Sequence, residues 1–164
     1  MTSSVTFHAE LVAMIPRLRR FAHALSRNGA DADDLTQAVI ERALRSSGQW
    51  QAGTRLDSWL FRIMRNLWID TVRARSRKEK VEAPEQEAER IGEDPRDAMD
   101  ASLDLKRMMD AMARLPDEQR EVVALILIEG FGYRETAEML GLPIGTVSSR
   151  LVRGRNALLD MVGG

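Results

Sequence analysis

The sequence predicts an all-α protein of two small helical domains joined by a flexible acidic linker, the second domain ending in a helix-turn-helix. Three observations carry that expectation. Apolar residues recur at helical spacing through most of the 164 residues. The periodicity fails between 79 and 97, where VEAPEQEAERIGEDP is acidic and holds Pro84 and Pro95. Near the C-terminus, two short helical patterns meet at a single glycine, Gly141.

Composition narrows the function. The net charge of −1 hides an uneven chain. Residues 1–78 hold 13 basic against 7 acidic side chains, residues 79–105 hold 3 against 10, and residues 106–164 hold 8 of each. A basic module, an acidic segment and a balanced module therefore follow one another. The 44% apolar content is enough for ordinary helical cores. No uninterrupted apolar span of membrane length occurs and the first 25 residues lack signal-peptide order, so a cytoplasmic protein without membrane insertion is expected. With no cysteine, disulfides and thiolate metal sites are excluded, and His8 and His23 have no acidic or histidine partner at ligand spacing. No phosphate-binding glycine loop or zinc-helix signature is present, and Asp33 and Asp34 read as a helix start rather than an acid/base pair. Neither an enzyme nor a cofactor is expected.

In chain order, Phe7, Leu11, Met14, Leu18, Phe21 and Leu25 define one or two helices near 6–26, with Pro16 a candidate dividing point. Arg17, Arg19, Arg20 and Arg27 read as a solvated face. Asn28 and Gly29 end this segment, and Asp31 with Asp34 opens a helix running to about Ser47. Its buried side is Leu35, Val39, Ala43 and Leu44; Asp34, Gln37, Glu41 and Arg45 form a polar stripe. The turn-rich GQWQAGTR stretch at 48–55 carries Trp50, which either caps the core or waits for a ligand.

From Leu56 to about Lys78 runs a long helical pattern whose inner side is Leu56, Leu60, Ile63, Met64, Leu67 and Thr71. The opposite side shows Trp59, Arg62, Arg65, Asn66, Ile69 and Arg73, and the run Arg73, Arg75, Arg77, Lys78 extends it. Arginines interleaved with an aromatic ring suit a nucleic-acid strand, whose phosphates take the cations while an exposed base stacks on the ring. On these residues alone, tryptophans in the core beside solvated arginines remain the alternative. Beyond the linker, Ala98 to Leu115 resumes a helix through Met99, Leu103, Leu105, Met108, Met109 and Met112, with the methionines as core filler. Leu115-Pro116-Asp117 breaks it, and Glu118 to Ile128 is a nearly all-apolar helix for the last hairpin to cover.

That hairpin buries Thr136, Ala137, Leu140, Leu142, Val147 and Leu151. Gly141 supplies the positive φ of the turn, and Thr146 is the expected N-cap. On its second helix Val147, Leu151, Gly154 and Leu158 share one side, whereas Ser149, Val152, Arg153 and Asn156 point away and Arg150 lies on the flank. A helix-turn-helix enters the major groove with the N-terminus of its second helix, which brings Ser149, Arg150 and Arg153 to bases or phosphates.

Three blocks in this order resemble a family: DADDLTQAVIERAL at 31–44, LDSWLFRIMRNLWIDTVRARSRK at 56–78, and LPDEQREVVALILIEGFGYRETAEMLGLPIGTVSSRLVRGR at 115–155. They resemble the sigma factors of bacterial RNA polymerase, of the small two-domain extracytoplasmic-function class. The resemblance implies a polymerase- and minus-10-binding domain over 1–78, a linker over 79–97, and a minus-35-binding domain over 98–164. It implies that Asp34, Gln37, Glu41 and Arg45 dock on the β′ clamp helices of the core enzyme, with a second contact between the C-terminal domain and the β flap. Trp50, Arg55, Trp59, Arg62, Asn66 and Arg73 would hold the unwound minus-10 strand, with a flipped base taken by the loop at 50–55. Ser148, Ser149, Arg150 and Arg153 would read the minus-35 duplex, and an anti-sigma protein would cover the working faces in a stress response. Two departures stand out: Ser148 where the family often has Lys, and Gly132 in place of a capping Ser before Tyr133. A sigma-like mimic that occupies an inhibitor without promoter activity is the main alternative, and a plain helix-turn-helix regulator a second.

Overall fold

The computed structural model describes residues 2–50, 55–81 and 103–163, all helical apart from short connections. Three helices form an N-terminal bundle: α1 (Thr2–Ser26), α2 (Gly29–Arg45) and α3 (Leu56–Val81). A C-terminal bundle holds α4 (Leu103–Arg114), α5 (Asp117–Val123), α6 (Tyr133–Leu140) and α7 (Ile144–Gly163). No helix of the described residues is long and apolar enough to cross a membrane.

The sequence leaves open whether Pro16 divides the first segment; α1 runs through it undivided. Proline removes one backbone donor, but Met14 and Leu18 on either side are buried and hold the helix against the core. The connection to α2 differs from expectation. Arg27, not Gly29, takes the left-handed conformation at φ 58°, and Asn28 rather than Asp31 caps the next helix, its Oδ1 accepting from the N–H groups of Ala30 and Asp31. Asparagine caps as well as aspartate, and Asn28 stands in extended backbone one residue ahead of the helix, so Gly29 becomes the first helical residue. On α2, Leu35, Val39 and Ala43 are buried as expected; Leu44 is exposed, and Ala32 and Thr36 fill the core instead. Thr36 satisfies its hydroxyl by donating to the Ala32 carbonyl at 2.7 Å.

α3 continues to Val81, three residues past Lys78. The rest of the acidic stretch, 82–97, lies outside the described residues, as do 51–54 of the turn-rich loop and 98–102 of the following helical pattern.

In the C-terminal bundle, α4 buries Ala111 and Met112, with Leu115 just beyond its end; Met108 and Met109 are exposed rather than core filler, and α4 packs against α7. The apolar run after Pro116 is α5 followed by one wide π turn, Ala124–Ile128, closed by Glu129 N–H to Ala124 carbonyl at 2.9 Å. The wider turn rotates Leu127 and Ile128 outward, so the run is less covered than its composition suggests. α6 and α7 form the helix-turn-helix. Gly141 ends α6 at φ 66°, and α7 begins directly after Pro143, so Thr146 sits in the first turn with its N–H on the Pro143 carbonyl. Gly132 precedes α6 with no side-chain cap.

The two bundles do not stand apart. Their buried apolar side chains make one continuous cluster, and α1 and α3 pack directly on α5, the π turn and α6.

Candidate nucleic-acid interface

On α2, Asp34, Gln37, Glu41 and Arg45 are all exposed. Positions i, i+3, i+7 and i+11 fall within about 80° of one another around a helix, so the stripe is a single face. Its one ion pair is Glu41 with Arg45 at 3.8 Å, too exposed to fix either side chain.

The aromatic candidates are partly structural. Trp50 and Trp59 are half-buried, and both pack on Phe7 of α1, with ring centroids 5.4 and 6.3 Å away. The Trp50 Nε1 is buried without an acceptor among the described residues. One side of each ring is therefore anchored on α1, and the remainder stays accessible. Arg62, Asn66 and Arg73 are exposed and share the Trp59 face of α3 by periodicity. Arg75 of the basic run pairs with Asp31 at 2.7 Å and lies over Trp68, 5.6 Å from its ring centroid.

Arg55 is engaged elsewhere. Its guanidinium bonds Asp57 at 2.9 Å, grips Glu135 of α6 at 2.6 Å and lies 5.0 Å from the Phe131 ring centroid. Burial alone would raise the Asp57 carboxyl, but the Arg55 hydrogen bond, the Ser58 N–H and the charges of Arg55 and Arg17 outweigh it and hold the group below its usual value.

Further contacts across the two bundles were not legible as such. Arg17 and Arg20, expected to be solvated, both bind Glu129, at 2.9 and 2.7 Å, and the Glu129 side chain is 1% exposed. Arg65 pairs with Glu121 at 3.1 Å. Phe61 and Phe131, both buried, meet edge to face at 5.5 Å, with Arg17 over each ring. Arg120, 1% exposed, donates to the carbonyls of Ala24, Leu25 and Leu115 and pairs with Asp117. Burial pulls its guanidinium below its usual value against the opposing pull of Asp117. Arg27 returns the exchange by donating to the Ala113 carbonyl at 3.1 Å. Arg120 stands among Glu118, Gln119 and Glu121 just before the apolar run, and nothing in that setting marks it as buried.

Magnitudes rank these contacts. An exposed pair such as Arg55–Glu135 contributes at most about 1 kcal/mol. Burying an aromatic such as Phe131 contributes about 1.5–3 kcal/mol. The apolar contact therefore outweighs the exposed pair.

On α7, Val147, Leu151, Gly154 and Leu158 are buried as expected, and Ser149, Val152, Arg153 and Asn156 are exposed. Ser148 and Arg150 are half-buried on the flanks. Among the described residues no carboxylate pairs with Arg150 or Arg153, and Arg153 is exposed.

Residues 11–78 match the model of sigma-70 region 2, and residues 105–158 match that of sigma-70 region 4. The chain is 37% identical over 149 residues to the ECF RNA polymerase sigma factor EcfG of Rhodopseudomonas palustris, covering 91% of this chain and 81% of that one. It is 42% identical over 150 residues to the ECF RNA polymerase sigma factor SigE of Mycolicibacterium smegmatis, covering 88% of this chain and 56% of that one. Among solved structures, the sigma factor RpoE of Bartonella quintana, crystallised with the anti-sigma factor NepR, superposes with a TM-score of 0.79 at 32% identity, over 96% of this chain and 97% of that one.

Proposed function

The chain belongs to the extracytoplasmic-function sigma factors of bacterial RNA polymerase, and from that premise we propose that it binds the core enzyme, recognises a two-part promoter and opens it. Members of this family act in transcription initiation and are not enzymes. The observation that carries the finer reading is a pair of faces on separate helices: exposed Arg62, Asn66 and Arg73 beside half-buried Trp59 on α3, and exposed Ser149 and Arg153 beside half-buried Arg150 on α7.

Residues 1–78 are the polymerase- and minus-10-binding domain in this reading, 79–97 the linker and 98–164 the minus-35 domain. Asp34, Gln37, Glu41 and Arg45 dock on the β′ clamp helices, and the C-terminal domain meets the β flap. Trp50, Arg55, Trp59, Arg62, Asn66 and Arg73 hold the unwound minus-10 strand. Flipping a base out of the duplex costs a few kcal/mol; stacking returns about 1–3 kcal/mol per base, and phosphate contacts supply the rest. Ser148, Ser149, Arg150 and Arg153 read the minus-35 duplex, where polar and cationic side chains bond base edges and phosphates. Control by an anti-sigma protein is supported by the likeness to the NepR-bound sigma factor. Exposed arginines on both faces favour a working sigma factor over a mimic, which has no use for them.

The test is transcription in vitro from genomic fragments by core polymerase with the purified full chain. Start sites preceded by a shared two-part element are expected, and Arg150→Ala should weaken binding to the upstream duplex by about 1–3 kcal/mol at fixed salt. Absence of any transcript, alongside tight binding to an inhibitor, would establish the mimic.

A further inference from the structure

The face of α3 that carries Trp59, Arg62, Asn66 and Arg73 does not end at Arg73. At about 100° per residue, Arg77 and Lys80 fall in the same arc of about 60°, and α3 continues unbroken through both. One straight stripe therefore runs from Trp59 to Lys80, about 31 Å at about 1.5 Å per residue. Its last member lies beyond residue 78, where the match to sigma-70 region 2 ends. The contacts of α3 with the C-terminal bundle, through Ser58, Phe61 and Arg65, occupy the neighbouring face and leave the stripe open.

The stripe changes character along its length. Its first half holds the Trp59 ring with Arg62 and Asn66, and Asp70, exposed at the edge of the arc, interrupts it. Beyond Asp70 only cations follow: Arg73, Arg77 and Lys80 are all exposed, and none pairs with a carboxylate among the described residues. Glu79, the acid among these last turns, lies on the opposite side, that of Arg75. Arg75 in turn is held by Asp31 of α2 at 2.7 Å and lies over the Trp68 ring. The back of the helix end is thus tied to the bundle, and its front is a row of cations.

An unpaired base needs a ring to stack on, and no ring stands on the stripe past Trp59; Trp68 is on the side of Arg75. Cations without a stacking partner take phosphates only, which suits a backbone whose bases remain paired. From Arg73 to Lys80 the row is about 10 Å long, the span of about three successive phosphates of one strand. We propose that Arg77 and Lys80 form a duplex-DNA site at the end of α3: they bind phosphates of the still-paired DNA beside the unwound strand, so that one helix spans the junction between single and double strand. The single-strand half of this statement rests on the minus-10 role proposed for Trp59, Arg62, Asn66 and Arg73; the duplex half rests on the stripe alone.

The probes are a tail of about eight thymidines, about the length of the stripe at about 3.4 Å per nucleotide, alone or joined at one end or the other to a duplex arm of about 15 base pairs. Binding of each to the full chain is measured by fluorescence anisotropy at stepped salt around about 0.15 M. The arm should tighten binding about 3- to 10-fold from one end only, because only one end of the tail lies by Lys80. Arg77→Gln with Lys80→Gln should abolish that gain and lower the salt slope on the joined probe by about 2, at about 0.9 per phosphate contact, while changing affinity for the tail alone by less than about 2-fold. Arg77→Lys with Lys80→Arg, which keeps both charges, should restore the gain, and unchanged helical circular dichroism in both variants separates lost charge from a melted helix end. No gain from the arm, an equal gain from both ends, or a gain that survives the glutamine pair would each overturn the proposal; the last would assign the arm to α7. Affinity for the duplex arm that falls with the glutamine pair, while the tail alone does not bind, would uphold the duplex site and count only against the minus-10 role of Trp59 and its neighbours.

Discussion

Gly154 shows how one atom positions the reading helix. A Cβ there would lie 2.7 Å from Val123 Cγ2 and 3.4 Å from Gln119 Cβ, so α7 crosses α5 at a separation that only glycine allows. Val123 is buried and β-branched within a helix, and has no spare rotamer to yield with. Gly154→Ala gains at most about 1 kcal/mol of helix propensity and loses about 1–3 kcal/mol to overpacking. A net loss of about 1–2 kcal/mol is expected in chemical denaturation; a gain would show that Val123 moves aside. The position was visible in the sequence as a glycine on the apolar stripe, but the partner it approaches was not, because periodicity identifies a face and not what covers it. The same gap explains Arg17 and Arg20: their spacing marks them as polar, and only the fold shows that Glu129 waits opposite.

At the scale of elements, α3 begins under electrostatic tension that is resolved in favour of charge. Asp57 in its first turn favours the helix N-terminus and carries Arg55 and Arg17 on its oxygens. Its carboxyl is held below the usual value, so the unfolded chain binds its proton more readily than the folded one. The stability it contributes is therefore complete above about pH 4, the ordinary carboxylate value, and is lost as pH falls through the lower folded value. Asp57→Asn should lower stability at pH 7 and flatten this acid limb, as measured by denaturation at stepped pH; an unchanged slope would remove Asp57 from the account. Helix existence and the inward faces of α2, α3 and α7 were legible from spacing. The ends were less so. Arg27 in a left-handed conformation, the π turn after Val123 and the early start of α7 all depend on packing that local propensity does not contain.

Across the whole molecule, arginine–carbonyl exchange joins the bundles at their helix ends. The last carbonyls of a helix have no partner within it, and Arg120 satisfies those of Ala24 and Leu25 on α1 while Arg27 reaches Ala113 on α4. Arg120→Met would fill similar space and leave these acceptors bare, at a cost of about 3 kcal/mol. Thermal unfolding should then begin earlier and lose the single transition expected of a continuous core; retention of one sharp transition at the parent midpoint would show that the exchange is dispensable. A two-part chain was readable from the charge distribution and the acidic stretch. Its parts lying against each other was not, since the contacts join residues far apart in the chain, from 56 positions for Arg65 and Glu121 to 112 for Arg17 and Glu129. One feature of α3 bears on the same question from outside the interface. Residues 72–80 are exposed on every side, and Arg73, Arg75, Arg77, Lys78 and Lys80 crowd these last turns with Glu79 the only acid among them. Arg75 ties these turns to Asp31 of α2, while Arg73 and Arg77 set like charges four residues apart, which opposes the helix. A polyanion lying along these turns would relieve that repulsion, so added counter-charge should lengthen the time this helix end stays ordered.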